Sequence, residues 1–140
     1  MIDLVVDASV AVKWFLREVY SDEARRLLTF EQRLHVPALL FPEFGNVLWK
    51  RVRRAELAAE EAIRIIETLT KLPLTVHPAR SLVAAALEIA CESGRTVYDS
   101  TYLALAIQQQ SRLVTADERF FNALRHTALA PYLCWVRDVF

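Results

Sequence analysis

Glycine is scarce in this sequence, with only Gly45 and Gly94 among 140 residues. The loops that hold phosphates in dinucleotide-binding and P-loop proteins need several glycines at fixed spacing, as GxGxxG or GxxxxGKS. The sequence contains neither pattern, which excludes both of these nucleotide-binding classes. It also lacks repeats, low-complexity segments and linkers, so we expect a single domain over residues 1–140.

Cysteine and histidine are also rare. Cys91 and Cys134 stand far apart in apolar surroundings and without CxxC spacing, which predicts buried free thiols rather than a disulfide framework. The three histidines (His35, His77 and His126) lack the spacing of zinc ligands. We expect them at strand edges or on the surface.

No apolar run approaches the roughly 20 residues of a membrane-spanning helix. The apolar N-terminal segment has no basic region and is interrupted by Asp3 and Asp7, so it does not resemble a signal peptide. These features predict a cytoplasmic protein.

Charge is balanced, with 17 basic and 17 acidic residues. A neutral total is unusual for a nucleic-acid-binding protein, although most of the basic residues are arginines, which suit bidentate phosphate contacts. The hydrophobic share is 54% and the mean hydropathy is +0.22. This surplus predicts a sheet buried on both faces and a subunit interface, and Trp14, Phe15 and Trp49 are candidates for contacting a second copy or a partner helix.

Short β-branched apolar runs alternate with longer segments of helical periodicity. The predicted strands are 2–6, 34–37, 74–76, 112–115 and an edge strand within 133–140. The predicted helices are 8–16, 21–33 with Ser21 as N-cap, 42–54, 59–72, 79–92 closed by Ser93-Gly94, 98–110 and 118–124. This alternation predicts an α/β fold with a mostly parallel sheet of four to five strands.

Four acids lie near the ends of predicted strands or the starts of predicted helices. Asp7 follows the first strand, Asp117 follows the fourth, and Asp99 and Glu43 stand in the first turns of two helices. Open parallel sheets bind ligands beyond the carboxyl ends of their strands. Each acid singly has a simpler explanation, because a carboxylate at a helix start caps free N–H groups.

Taken together, the four acids indicate more than capping. Four carboxylates at one end of a sheet repel one another unless a cation lies among them. Oxygen ligands of this kind select hard cations such as Mg²⁺ or Mn²⁺, and carboxylate-held metal pairs are the recurring site of phosphodiester cleavage. Given the assumed topology, the pattern favours a metal-dependent phosphodiesterase.

The residues around the acids form four motifs that span nearly the whole chain: VVDAS at 5–9, PEFGNVL at 42–48, YDSTYLALA at 98–106 and LVTADERF at 113–120. In this order they resemble the motifs of PIN-domain ribonucleases of the VapC toxin type. The resemblance implies a PIN-like three-layer α/β/α fold. It also implies a Mg²⁺- or Mn²⁺-dependent endoribonuclease that leaves 5′-phosphate and 3′-hydroxyl ends. By the same resemblance, the chain is the translation- and growth-inhibiting toxin of a toxin–antitoxin pair, with a small VapB-like antitoxin as partner. The apolar surplus adds the expectation of a homodimer.

The resemblance also implies roles for individual residues. The catalytic and metal-binding residues are Asp7, Glu43, Asp99 and Asp117, of which Asp117 and Glu43 have the alternative of acting through water. The supporting residues are Ser9, Thr115 and Asn46, for each of which capping is the alternative.

A basic group follows Glu43 on the same predicted helix. Lys50, Arg53 and Arg54 recur at i, i+3 and i+4 and therefore share one helix face. This face is a candidate for guiding RNA to the site, and a solvated face with ion pairs is the alternative.

Two other enzyme and signalling classes fit poorly. Haloacid-dehalogenase-like phosphatases carry a second aspartate two residues after the first, where this sequence has Ser9. Receiver domains need a lysine at a late strand end, and beyond residue 50 there is only Lys71, within a predicted helix. The alternative left open is a catalytically weak PIN-fold module that binds RNA or protein.

Overall fold

Five parallel strands form the centre of the molecule. The computed structural model describes residues 1–29 and 31–140, and its sheet has the order β3-β2-β1-β4-β5 with every neighbouring pair parallel. The strands are β1 (Ile2–Val6), β2 (Gln32–Pro37), β3 (Thr75–His77), β4 (Arg112–Thr115) and β5 (Leu133–Trp135). The predicted parallel sheet is thereby confirmed.

Seven α-helices within the described residues connect and cover these strands. They are α1 (Ala8–Phe15), α2 (Ser21–Arg26), α3 (Leu40–Arg53), α4 (Ala59–Lys71), α5 (Val83–Ser93), α6 (Val97–Gln108) and α7 (Glu118–Leu124). Single 3₁₀ turns lie at Ala79–Ser81, Ala130–Tyr132 and Val136–Asp138.

The strands bury both of their faces, because successive side chains point to opposite sides of a sheet. Leu4 and Val6 belong to a core that includes residues of α1 to α4. Val5 and Leu113 belong to a second core that includes residues of α5, α6 and α7. The sheet therefore lies between two helical layers, which confirms the predicted three-layer α/β/α architecture and explains the high hydrophobic share.

The predicted helix 21–33 is wrong in its second half. The helix ends at Arg26, and β2 begins at Gln32, which pairs with Ile2 of β1; Phe30 lies outside the described residues. Pairing with a central strand outweighs the local helical preference of this segment.

Ser21 is the first residue of α2 rather than its N-cap. The cap position is Tyr20, which has a left-handed backbone with φ 68°. The Ser21 hydroxyl instead accepts a hydrogen bond from the Glu18 N–H at 2.9 Å and donates one to the Leu16 carbonyl at 3.2 Å, so it closes the turn before the helix.

The predicted helix 79–92 is interrupted near its start. Residues 79–81 form a 3₁₀ turn in which the Ser81 hydroxyl donates to the Pro78 carbonyl at 2.9 Å, a local bond that competes with helix formation. Its predicted stop is confirmed, because Gly94 follows Ser93 with φ 76°, a conformation that favours glycine. The C-terminal edge strand is confirmed for Leu133–Trp135, and the chain then turns away.

Several predictions about burial need correction. Cys134 is buried but Cys91 is exposed. His35 is buried in the inner strand β2 rather than at an edge, whereas His126 is exposed as expected. The three aromatic residues predicted to contact a second copy or a partner helix also differ in their burial.

Trp14 is buried and its indole N–H donates to the Ala24 carbonyl at 2.9 Å. Phe15 packs edge-on against Phe44 at 5.9 Å between ring centroids. Both therefore belong to the core, and only Trp49, which is 51% exposed, remains available to a partner.

Across residues 1–29 and 31–140, none of the helices combines the length and the apolar character needed to cross a bilayer.

Candidate active site

The strand order reverses between β1 and β4. The chain builds β2 and β3 outward on one side of β1, and later places β4 and β5 on the other side. In open parallel sheets such a switch point leaves a crevice beyond the carboxyl ends of the two strands. Asp7 directly follows β1, and Asp117 lies two residues beyond β4. Both acids therefore stand at this crevice.

All four predicted acids line one cavity of about 280 Å³ at this position. Asp7 comes from the end of β1, Glu43 from the first turn of α3, Asp99 from the first turn of α6 and Asp117 from the start of α7. Apolar side chains form much of the remaining wall, among them Val12, Val47 and Phe120.

Two of the four acids also cap helices. The Asp7 carboxylate accepts the Val10 N–H at 3.2 Å, and the Asp117 carboxylate accepts the Phe120 N–H at 3.2 Å. The side chains of Asp7 and Asp117 therefore cap a helix and line the acidic cavity at the same time. Asp99 is different, because the hydroxyl of Thr96 caps α6 by accepting the Asp99 N–H at 3.1 Å. The side chain of Asp99 is not used as a cap.

Two hydroxyls hold Asp7 in place. Ser9 donates to one carboxylate oxygen of Asp7 at 2.5 Å, and Thr115 donates to the other at 2.6 Å. The N–H groups of Ala116 and Asp117 donate in turn to the hydroxyls of Ser9 and Thr115, at 2.9 and 3.1 Å. These bonds tie the end of β1 to the loop after β4. Ser9 and Thr115 therefore contact Asp7, and their supporting role in the site stays a prediction.

Glu43 and Asp99 have partners of their own. The buried Tyr102 hydroxyl donates to Glu43 Oε1 at 2.6 Å. Arg95 Nη2 lies 3.3 Å from Asp99 Oδ2, and the Arg95 guanidinium lies 5.5 Å from the centroid of the Phe120 ring. The two contacts hold Glu43 and Asp99 in place within the acidic cavity.

The surroundings disfavour negative charge on three of these acids. Burial, reinforced by Glu43, raises the pKa of Asp7 from its usual 3.8 to about 6, although hydrogen bonds from Ser9 and Thr115 oppose the shift. Burial and the nearby Asp99 raise the pKa of Glu43. Burial also raises the pKa of Asp99, with Arg95 opposing and Asp117 adding to the rise. A bound cation would relieve this repulsion.

The donors in the cavity are carboxylate and hydroxyl oxygens, the set that suits Mg²⁺ or Mn²⁺. Among the described residues, however, no three carboxylate, imidazole or thiol groups already stand in the arrangement of a metal site. Magnesium commonly keeps several water ligands and takes only one or two carboxylates directly. The residues therefore fit a hydrated ion better than a fully enclosed one.

Comparison with known proteins assigns the family. The sequence model of the PIN-domain family matches residues 4–125 of this chain. Ribonuclease VapC3 of Pyrobaculum aerophilum is 36% identical over 118 residues, which cover 83% of this chain and 90% of that protein. Ribonuclease VapC9 of Mycobacterium tuberculosis is also 36% identical, over 116 residues that cover 83% of this chain and 87% of its own. This chain belongs to the PIN-domain family. The resemblance read from the four motifs is confirmed.

Solved structures agree on the fold. Mycobacterium tuberculosis VapC20 superposes with a TM-score of 0.68 at 16% identity and covers 86% of this chain and 95% of its own. VapBC2 from Rickettsia felis superposes with a TM-score of 0.65 at 11% identity and covers 96% and 98%. At these identities the likeness concerns the fold alone.

The other predicted residues of this PIN domain lie outside the acidic cavity. Asn46 is exposed and is not among the residues that line the cavity. Lys50, Arg53 and Arg54 line a separate shallow cavity of about 360 Å³ with Trp49, farther along α3. All three basic residues are exposed, and within the described part of the chain none of them forms an ion pair. Of the alternative, a solvated face with ion pairs, the structure therefore shows the solvation and not the pairs.

Sequence reasoning did not single out Tyr102 and Arg95, although both contact the acids. Tyr102 stands three residues after Asp99 and Arg95 stands four residues before it. Both spacings bring side chains to the same face of a helix or its extension. That periodicity around Asp99 was the signal that could have found them.

Proposed function

We propose that this PIN domain is a metal-dependent endoribonuclease and the toxin of a toxin–antitoxin pair that inhibits translation and growth. The observation that carries the proposal is the set of four carboxylates around one cavity at the switch point of the sheet. The relatives named as VapC ribonucleases support RNA as the substrate. One solved neighbour, VapC20, is described as a toxin that cleaves the sarcin–ricin loop.

In this proposal Asp7, Asp99, Asp117 and Glu43 hold Mg²⁺ or Mn²⁺, either directly or through water. Such an ion supplies Lewis acidity toward the phosphate and lowers the pKa of a bound water. The chain's contribution is to hold the oxygen ligands still. The hydroxyls of Ser9, Thr115 and Tyr102 do this through bonds of 2.5 to 2.6 Å to Asp7 and Glu43.

The cavity walls also matter for the proposed reaction. Val12, Val47 and Phe120 limit the water around the carboxylates, and electrostatic interactions strengthen where water is excluded. Arg95 beside Asp99 is the cation nearest to the cluster in the contacts described. The Arg95 side chain is 27% exposed, and in this proposal its guanidinium contacts a phosphate oxygen of RNA bound beside Asp99.

Lys50, Arg53 and Arg54 are the proposed RNA-guiding residues. They lie on α3, the helix that carries Glu43 in its first turn. The Arg53 guanidinium stacks over the exposed Trp49 ring at 4.9 Å. Unpaired cations next to an exposed aromatic ring are a common surface for single-stranded nucleic acid, which supports the proposal.

The proposed partner is a small VapB-like antitoxin. The solved neighbours include a toxin–antitoxin complex from Klebsiella pneumoniae and VapBC2 from Rickettsia felis. An apolar groove of about 280 Å³ between α3 and α4 suits the apolar face of a partner helix. Its lining includes Leu48, Trp49, Val52, Ile63 and Ile66.

A homodimer is also proposed. Val83 and Leu87 are 51% and 54% exposed, one turn apart on α5. Light scattering on the purified chain tests this, and a mass of one chain at micromolar concentration contradicts it.

The function is tested by incubating RNA with the purified protein and sequencing the cleaved ends. We expect cleavage with Mg²⁺ or Mn²⁺, none with a chelator, and none with Asp99→Asn. Expression of the chain alone in a bacterial host should arrest growth, and Asp99→Asn should abolish the arrest. Cleavage that persists in chelator contradicts the metal-dependent mechanism.

The second candidate is a catalytically weak module that binds RNA or protein. The exposed Trp49 and the unpaired basic residues on α3 favour it as the alternative. RNA binding that is retained in chelator, together with no cleavage in either metal, would favour this module over the enzyme.

A further inference from the structure

A second cavity lies on the other side of the loop that carries Asp117. It measures about 600 Å³, and both neighbours of Asp117 in the chain, Ala116 and Glu118, line it. Lys13 of α1 also lines it, whereas Ser9 and Val12 of the same helix line the acidic cavity. The two cavities therefore share the loop after β4 and the helix after β1, and consecutive residues are only about 3.8 Å apart between Cα atoms.

Three aromatic rings form part of this second cavity. The Tyr20 and Trp135 rings meet edge to face at 5.8 Å and 83°, and Phe121 packs against Trp135 at 5.4 Å and 49°. All three rings are only partly buried. Partly exposed aromatic clusters are the surfaces on which proteins stack unpaired bases.

Cations surround these rings. The Arg125 guanidinium lies 5.4 Å from the centroid of Phe121, and it forms no ion pair within the described part of the chain. Lys13 is paired with Glu18 at 3.1 Å, and Arg137 is paired with Asp138 at 3.7 Å. Arg125 is therefore the cation of this cavity that is free to meet a phosphate or a base.

The remaining polar groups indicate which bases fit. Glu118, Asp138 and Asn122 line the same cavity. The two carboxylates accept hydrogen bonds and repel phosphate, so they suit the amino group of a base rather than the backbone. Carboxylates accept from cytosine N4, and asparagine pairs with adenine N6 and N7. Uracil has no exocyclic amino group to donate.

We propose that this aromatic cavity binds a nucleobase with an exocyclic amino group, adjacent in the RNA to the phosphate that is cleaved. The inference deepens the proposed ribonuclease function and rests on it, because the position of the base is defined relative to the cleaved phosphate. It assigns the stacking of the base to Tyr20, Phe121 and Trp135, the contact with its phosphate to Arg125, and the choice of base to the polar groups of Glu118, Asn122 and Asp138. None of these residues lines the acidic cavity.

Binding is tested first without any cleavage. The probes are the 5′-monophosphates of cytidine, adenosine, guanosine and uridine, and ribose 5-phosphate, titrated in the presence of a chelator while the indole N–H signal of Trp135 is followed by NMR. We expect a saturable shift with at least one nucleotide whose base carries an amino group, and at least a fivefold weaker response with uridine monophosphate and ribose 5-phosphate. Equal responses to all five probes, or no response to any, overturn the inference.

The variants are Tyr20→Gly and Arg125→Gln. Tyr20 has φ 68°, a conformation that glycine adopts freely, so its replacement removes the ring without straining the backbone. The matched control is Arg119→Gln, an exposed arginine on α7 that does not line this cavity.

Cleavage is then measured on RNA with randomised nucleotides around the cut. We expect the wild type and Arg119→Gln to select an amino-bearing base at one position beside the cut. Tyr20→Gly and Arg125→Gln should lose that selection and raise KM by about tenfold, with kcat changed much less. If both variants keep the wild-type selection and KM, the cavity does not contact RNA and the inference is overturned, whether or not a protein binds there.

These outcomes separate the inference from the proposed function. Nucleotide binding that Tyr20→Gly abolishes, without cleavage of any RNA, supports the base site and contradicts the ribonuclease. Cleavage without base selection supports the ribonuclease and contradicts the base site.

Discussion

Asp3 and Asp7 stand near the two ends of the same strand, and their surroundings shift their pKa values in opposite directions. Asp3 accepts a hydrogen bond from His35 Nε2 at 2.9 Å and lies 3.5 Å from Arg33 Nη1. The hydrogen bond from His35 and the nearby Arg33 charge lower its pKa. Burial and Glu43 instead raise the pKa of Asp7 to about 6. The surroundings of Asp3 stabilise its negative charge, whereas the surroundings of Asp7 destabilise its negative charge.

The difference indicates which end of the sheet serves stability and which serves function. At the Asp3 end, the Asp3 carboxylate has an opposite charge and a hydrogen bond nearby, and His35 extends the contacts to His77 at 2.9 Å. At the Asp7 end, like charges converge on a cavity. Groups with perturbed pKa values cluster at functional sites because catalysis uses charges that folding alone would not place together.

The largest expected contrast is in activity. Asp7→Asn keeps the shape of the side chain but removes its charge, so we expect RNA cleavage to fall by about a thousandfold, the scale of charge stabilisation by a metal ion. Asp3→Asn should change cleavage by less than twofold. The rates are measured on the same RNA under saturating Mg²⁺. Comparable losses in the two variants would remove the functional distinction between the two ends.

Tyr102→Phe tests the support of Glu43. The variant keeps the buried ring but removes the donor that lies 2.6 Å from Glu43 Oε1. Loss of such a supporting bond typically weakens metal binding by about 10- to 100-fold. Calorimetric titration with Mn²⁺ measures this, and Tyr132→Phe, near Asp3, is the control. An unchanged affinity of Tyr102→Phe for Mn²⁺ would mean that Glu43 does not need the hydrogen bond from Tyr102 for metal binding.

Stability should change in the direction opposite to activity. The rise in the pKa of Asp7 from 3.8 to about 6 corresponds to at most about 3 kcal/mol of unfavourable free energy for the charged form. In metal-free buffer at pH 7.5 we therefore expect Asp7→Asn to be more stable than the wild type, and Asp3→Asn to be less stable. Urea denaturation in the presence of a chelator measures both. A destabilised Asp7→Asn would show that the charge of Asp7 is compensated after all.

The same shift predicts how stability depends on pH. Because folding raises the pKa of Asp7, the folded chain holds the proton more tightly, and metal-free stability should increase as pH falls through about 6. Between pH 7.5 and 5 the gain from Asp7 is about 1 kcal/mol, and it should be absent in Asp7→Asn. Asp3 acts with the opposite sign, since its lowered pKa means that its contribution is lost at acidic pH. Free energies of unfolding across this range, in chelator, test the assignment.

The smallest expected effect concerns Asn46. Its side chain is exposed and does not line the acidic cavity, so Asn46→Ala should change cleavage by less than twofold. Kinetics at several RNA concentrations test this. A tenfold loss would mean that RNA contacts Asn46 directly.

Much of the architecture could be predicted from local patterns. β1, β4 and α7 begin and end where the apolar runs and caps indicate. The prediction failed at 21–33, because the pairing of Gln32 and Arg33 with β1 begins β2 two residues before the predicted strand 34–37. His35 and Trp14 were misplaced for the same reason, since the order of the strands and the packing of the layers decide which side chains become buried.

The residues of the candidate site were likewise predicted only in part from the sequence. The four acids could be named because each follows a strand or begins a helix, and the motif order singled them out. Tyr102 was missed because its partner Glu43 is distant in the chain and the contact is tertiary. Arg95 was missed although its i, i+4 spacing to Asp99 is local. The aromatic cavity was also missed, because Tyr20, Phe121 and Trp135 are far apart in the chain.

The sequence by itself determined the strand and helix pattern, the family and the four acids, because periodicity, capping and motif spacing are local properties. Only the tertiary structure decided that the strand order reverses between β1 and β4, so that Asp7 and Asp117 meet at one crevice. It also decided the contrast between Asp3 and Asp7. Two identical side chains acquire opposite pKa shifts because burial and neighbouring charges, which act through space, differ at the two ends of one strand.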